Sequence, residues 1–349
     1  MKSMIRFLSV VIFYVTTINI SFAHDEFTRV IKKEFAVNAD AQLIIDNSFG
    51  KVHCNNWDKD IVEIEVLITA YAPDEKYANK ILEKVNVTIS GSASLVEART
   101  TFTDGGYNKG RSGVSVDYTV NMPTSVNLDL TNKFGDIFIN ELGGKGKINL
   151  GYGNLEANKF SNSDNLIDIK FSKANIKSIK GAVVSLKYSD LELGYAGSLR
   201  LDSKYSNIDA EKIISLLVNF EGGKLNMENS SVIESKSKFS DLNVTRLEKS
   251  LSLDIQYGNC EIDEMLSDFT NISIRNKYGN VSVGIPENAN YALDAEMKFC
   301  NLDFPEDKAI INQRIITNTS KSYKASIGKE SEPMAKIYVR SEFGNVSLE

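Results

Sequence analysis

One four-residue phrase constrains this chain more than any other feature: an aromatic ring, then Gly or Ser, then Asn or Asp, then an apolar residue. It reads Phe134-Gly135-Asp136-Ile137, Tyr152-Gly153-Asn154-Leu155, Tyr188-Ser189-Asp190-Leu191 and Tyr205-Ser206-Asn207-Ile208. It continues as Phe239-Ser240-Asp241-Leu242, Tyr257-Gly258-Asn259-Cys260, Tyr278-Gly279-Asn280-Val281 and Phe299-Cys300-Asn301-Leu302. Degenerate copies open at Phe171 and Phe220. Successive aromatics from 134 to 299 lie 18, 19, 17, 17, 15, 19, 18, 21 and 21 residues apart.

Apolar residues before each phrase share the parity of the aromatic, as in Leu128, Leu130 and Phe134, and the parity flips afterwards, as in Ile137 and Ile139. Side chains of a strand alternate faces, so both flanks read as strands with an apolar inner side. The phrase reads as a corner whose Gly and Asn or Asp absorb the phase shift, because these residues best tolerate a left-handed backbone. Fewer than about 20 residues per period leave room for one coil of a parallel β-helix but not for a helix and two strands. Ten coils at about 4.8 Å would make a rod roughly 48 Å long. On this parity Phe134, Tyr152, Tyr188, Tyr205, Phe239, Tyr257, Tyr278 and Phe299 form an internal aromatic ladder, and the Asn and Asp residues form a second ladder at the corners. A β-sandwich is the rival fold, but its antiparallel strands need Asn-Gly or Asp-Gly hairpin signals, and here the order is reversed and regularly phased.

The expected fold is therefore all-β: a parallel β-helix, or solenoid, with a small α+β cap. The cap region covers 24–123 and holds one helix at about 74–84; the coils cover 124–304 and closing strands cover 305–349. Gln313 to Ser326 and Ala335 to Leu348 read as those closing strands, and a final corner stands at Phe343-Gly344-Asn345-Val346. An early corner stands at Phe49-Gly50, and a glycine-rich loop spans 104–113.

Residues 1–23 read as an export signal: Lys2 and Arg6, an apolar run from Phe7 to Ile20, then Ser21-Phe22-Ala23. The run is shorter than the roughly 20 residues of a membrane span, and no second one follows, so no transmembrane segment is expected in the mature chain. Removing Lys2 and Arg6 takes the formal charge from -6 to -8. An acidic chain argues against nucleic acid as a partner, since phosphate binding needs a basic face. Cys54, Cys260 and Cys300 are too few for a disulfide framework. Cys54 and Cys260 fall where other repeats carry Val, Ile or Leu, so they read as apolar fillers.

The chain resembles the bacterial putative-adhesin family, a β-strand-repeat domain of unknown function. The residues that carry the resemblance are Asn56-Trp57-Asp58-Lys59-Asp60 before an alternating strand, the helix after Asp74, and Val116-Asp117-Tyr118-Thr119-Val120-Asn121-Met122-Pro123. The repeated corners and Tyr323 to Gly328 before the closing strand complete the set. The resemblance covers residues 43–349. It implies a right-handed β-helix and a cell-envelope or surface setting, and it supplies no catalytic residue for any position.

The only histidines are His24 and His53, which cannot build a histidine metal cluster. No nucleophile elbow, P-loop or zinc-protease motif occurs. No catalytic residue, cofactor or metal is expected. Asp136, Asp190 and Asp241 lie three coils apart, too far for paired acid chemistry, whereas Glu192 and Asp209 fall on adjacent coils with Lys224 expected beside them. Such a pair could share a cation. The most regular exposed feature is the Lys preceding the aromatic, with Lys170, Lys187, Lys204 and Lys238 as the core of an outward stripe. It reads as a solvated face, or as a track for an anionic glycan or another envelope component. The leading function is a non-enzymatic exported envelope or surface protein, adhesin-like or scaffolding, in the periplasm, on the outer membrane or outside the cell. The alternative is a β-helical carbohydrate-active enzyme of the lyase or glycosidase type.

Overall fold

The computed structural model describes residues 25–103, 113–330 and 332–349. The export signal, His24 and the glycine-rich loop up to residue 112 lie outside the described residues. Apart from a helix, Glu75–Leu82, and a short turn, Glu306–Lys308, the described elements are β-strands. Asp74 caps the helix by accepting the Tyr77 N–H, which satisfies one of the free donors of a helix start. Ala78 packs on Ala70 and Ala72 of a neighbouring strand.

Each repeat contributes one strand before its corner and one after it. Gly146–Gly151 pairs in parallel with Asn127–Lys133 on one side and Asn165–Lys170 on the other. Past the corner, Asn154–Phe160 pairs in parallel with Ile137–Leu142 and with the start of Lys173–Lys187. The register is one repeat per step: Ile169 faces Leu186 and Ala174 faces Leu191. Identical apolar positions therefore superpose, and Leu128, Leu130, Ile137, Ile148, Leu155 and Ile167 merge into one buried cluster running through the repeats. Sheet pairing continues without a break from Asp190 to Gln256, through the left-handed corners at Tyr205, Gly222 and Phe239. Cys54 and Cys260 fill such positions, Cys54 opposite Ile139 and Cys260 opposite Leu242 and Val281. Burial pushes both thiols up to about 12.

The aromatic ladder is on the outside, not inside. Phe134, Tyr152, Phe171, Tyr188, Tyr205, Phe239, Tyr257, Tyr278, Phe299 and Phe343 are 43–58 % exposed. Alternation holds as far as the residue two before the ring, where Asn132 is fully buried. The aromatic itself then takes the left-handed backbone, φ +58° at Phe134 and +52° at Tyr188, which swings its side chain outward. Parity arguments apply only to extended residues, and this one is not extended. Every non-glycine residue of positive φ among those described is a Phe or Tyr of a corner. The following Gly or Ser is small for a different reason: corners approach closely, and a Cβ at Gly135 would overlap the Gly50 carbonyl oxygen.

The degenerate copy is also two residues out of the expected phase. Its left-handed corner residue is Gly222, over which Tyr205 lies, and Phe220 is buried in the core. Counting the corner from Gly222 makes four consecutive steps of 17 residues, 171 to 239.

A bulky residue in the left-handed region costs about 1–2 kcal/mol, a penalty glycine avoids. Tyr188 stacks on Phe171 and Tyr205, both at 5.2 Å. Tyr188→Ala loses both stacks, worth about 0.5–1.5 kcal/mol each, and keeps the strain. Tyr188→Gly loses the stacks but sheds the strain. The glycine variant should therefore be the more stable of the two by about 1 kcal/mol, the reverse of the usual order in a strand. Equilibrium denaturation of the pair checks this.

Both ends interrupt sequential order. Gln42–Ser48 pairs with Asn127–Lys133, so the corner at Phe49 stacks beneath Phe134 although the two are 85 positions apart in sequence. The closing strand Ala335–Glu342 inserts between Asn271–Lys277 and Tyr291–Lys298. The corner at Phe343 consequently lies between those of Tyr278 and Phe299 rather than after them.

Candidate binding face

Stacking of the repeats places the corner side chains in columns. Rings of Phe49, Phe134, Tyr152, Phe171, Tyr188 and Tyr205 follow one another at 5.0–5.2 Å with planes within 13° of parallel. Gly222 leaves a gap, after which Phe239, Tyr257, Tyr278, Phe343 and Phe299 stack at 4.9–5.1 Å. Neighbouring rings cover each other's faces, so solvent meets ring edges and the tyrosine hydroxyls. An aromatic edge is the positive rim of the ring quadrupole.

Two hydrogen-bond columns hold this stripe. The Gly153 N–H donates to Ser172 Oγ at 3.1 Å, the Ser172 N–H to Ser189 Oγ at 3.2 Å and the Ser189 N–H to Ser206 Oγ at 3.1 Å. Each of these hydroxyls in turn donates to the carbonyl of the lysine two residues earlier, Lys170, Lys187 and Lys204. The Asn and Asp positions form the second column. Asn154 N–H donates to Asp136 Oδ1, Asn280 N–H to Asn259 Oδ1, and Asn345 N–H to Asn280 Oδ1, at 3.0–3.1 Å.

Lys170, Lys187 and Lys204 face one another in consecutive register. Lys187 Nζ lies over the Tyr188 ring at 5.7 Å, and Lys238 Nζ over Phe239 at 5.1 Å. The stripe is less uniform than the sequence spacing alone implies. Lys170 pairs with Asp168 at 2.7 Å, Lys204 with Glu221 at 3.1 Å, and Lys277 with Glu342 at 3.2 Å. Gly151 stands between Lys133 and Lys170, and Glu221 precedes the Gly222 corner that separates Lys204 from Lys238.

On the strand after the corner an open groove of about 880 Å³ runs across the repeats. Among the described residues its carboxylates are Glu192, Asp209, Glu211, Glu228 and Asp263, and its one cation is Lys177. Glu192 accepts from Asn175 at 3.0 Å and pairs with Lys173, while Asp209 accepts from Asn226 at 2.8 Å. Asn226, not Lys224, is thus the neighbour of Asp209, for the same two-residue phase reason as Phe220. Among the described residues no three His, Cys, Asp or Glu side chains converge as a metal ion would require. His53 rests against Phe138, ring centroids 4.3 Å apart.

No family model and no curated protein matches this chain. Solved structures do. One is described as a putative cell adhesion protein from Clostridium sporogenes, 10% identical, covering 93% of this chain and 99% of that one at a TM-score of 0.21. A second, a putative adhesin from Bacteroides fragilis, is 11% identical with coverages of 92% and 97% and a TM-score of 0.31. A third, a putative lipid binding protein from Parabacteroides distasonis, is 10% identical with coverages of 92% and 96% and a TM-score of 0.25. Overlap this low assigns no residue a role; two of these three descriptions name adhesion, as does the family that the sequence resembles.

Proposed function

We propose that this chain is an exported, non-enzymatic binding protein of the cell envelope, its repeats wound as a right-handed β-helix. The N-terminal charge and hydropathy pattern supports export, and parallel pairing at one repeat per step supports the helical winding. The single observation that carries the binding role is the exposed ring stack from Phe134 to Tyr205 with Lys170, Lys187 and Lys204 in register beside it. Contiguous exposed apolar surface of this extent marks interaction sites. Ring edges and ammonium groups both favour negative charge, so the partner is an extended anionic polymer such as an acidic glycan lying along the stack.

Reversing Lys170, Lys187 and Lys204 to Glu should leave the thermal transition within a few degrees of wild type, because all three are exposed. The same variant should lose retention on immobilised polygalacturonate at low salt by about tenfold or more, and added salt should weaken wild-type retention steeply. Equal retention by both proteins would reduce the stripe to a solubility device.

The carboxylate groove favours one alternative, a carbohydrate-active enzyme. Paired-carboxylate cleavage needs one carboxyl kept protonated, usually by burial. Here Asp209, Glu211, Glu228 and Asp263 are open to water, which is why the binding reading leads. Release of new sugar ends from a polysaccharide, abolished by Asp209→Asn, would reverse that preference.

A further inference from the structure

The two ends of the sheet are treated very differently. At the N-terminal end the outermost strand, Asp25–Ala36, pairs among the described residues only with Ile61–Ala72, and it carries six charges: Asp25, Glu26, Arg29, Lys32, Lys33 and Glu34. Two of them close a neighbouring edge as well. Arg29 donates to the Val85 carbonyl at 2.7 Å and Lys33 to the Ile89 carbonyl at 2.8 Å, both on the edge strand Val85–Gly91. Charges and covered carbonyls are how sheet edges are kept from pairing with another chain.

The C-terminal end has no such guard. Its outermost strand, Ala309–Ile316, pairs antiparallel with Ser320–Ile327, and among the described residues no strand pairs with its other edge. The sequence Ala-Ile-Ile-Asn-Gln-Arg-Ile-Ile contains one charge, Arg314, already paired with Glu306. Ile310, Ile315 and Ile316 are 62, 51 and 57 % exposed. Ala309 and Ile311 face the core, and the register shift between Ile311 and Gln313 puts Ile310 and Ile315 on the same outer face.

That arrangement is self-complementary. An antiparallel copy related by a twofold axis between Asn312 and Gln313 sets Ile310 opposite Ile315 and Ala309 opposite Ile316. Arg314 then meets Ile311 rather than a second arginine, so no like charges confront one another. A twofold contact of this kind also closes after two chains. We propose that Ala309–Ile316 is a homodimer interface, joining two copies of this chain end to end through one continuous antiparallel sheet.

Sedimentation equilibrium of the purified chain at micromolar concentration should give twice the monomer mass. Ile310→Lys combined with Ile315→Lys should raise the dissociation constant at least tenfold while leaving the thermal transition within a few degrees. Hydrogen exchange on the wild type adds a test that needs no variant: amides of 309–316 should exchange more slowly in concentrated than in dilute solution. A monomeric wild type, an open-ended polymer, a dimer untouched by the double variant, or concentration-independent exchange would each overturn the proposal.

Discussion

Phe220→Ala should lower the unfolding free energy by about 3–5 kcal/mol, the cost of emptying a large buried site. Phe220 is only 4 % exposed and takes the place in its repeat that Ile169 takes in its own: Ser240 Oγ bonds the Phe220 carbonyl as Ser189 Oγ bonds that of Ile169. Fifteen residues earlier Tyr205 is 55 % exposed and stacks on Tyr188 alone among the ladder rings. Tyr205→Ala should therefore cost about 1 kcal/mol, mainly one lost stack. Denaturation midpoints of the two variants measure the contrast. Equal losses would mean that the ladder rings are as buried as Phe220, contrary to the exposed column.

Gly279→Val should be at least as damaging. Gly279 lies between Gly258 and Gly344 in the corner stack, and a Cβ there would overlap the Gly258 carbonyl oxygen. The obstacle is the Gly258 backbone, so no side-chain rotation can relieve it. The two repeats must separate, breaking the Asn280 to Asn259 bond of 3.1 Å. A cost on the order of 3 kcal/mol or more is expected, at the upper end of overpacking effects. In a stack of neighbour-coupled repeats the damage should be local, with amide exchange accelerated first near residues 258–280 and 343–346. A variant with wild-type stability and exchange would show that the corners are not closely apposed.

For the candidate face, sequence spacing picked out lysines and rings that stacking sets in columns, but not their surroundings. The regular Lys-aromatic-Gly/Ser-Asn/Asp phrase named the lysines, rings and amides that line the stripe. Neutralisation of Lys170 by Asp168 and of Lys204 by Glu221 depends on which side chains converge in space. The groove carboxylates Glu211, Glu228 and Asp263 carry no local signal, because they become neighbours only when repeats 17 or 18 residues apart are stacked.

The sequence by itself determined the period, the strand on each side of the corner, and the identity of the inward apolar residues up to the corner. Each of these follows from local alternation and from repetition, which a single chain displays openly. Tertiary structure alone decided which way the rings point. That depends on one dihedral per repeat, φ near +55°, and tyrosine or phenylalanine is a poor indicator of a left-handed backbone. It also decided the phase at Gly222, where two glycines could each serve as the corner and Phe220 mimics a ring position. Finally, it decided the order at the ends. Strand Ala335–Glu342 enters between two repeats already formed, and Gln42–Ser48 reaches Asn127–Lys133 across 85 residues, because parallel pairing rewards matching register and is indifferent to separation along the chain.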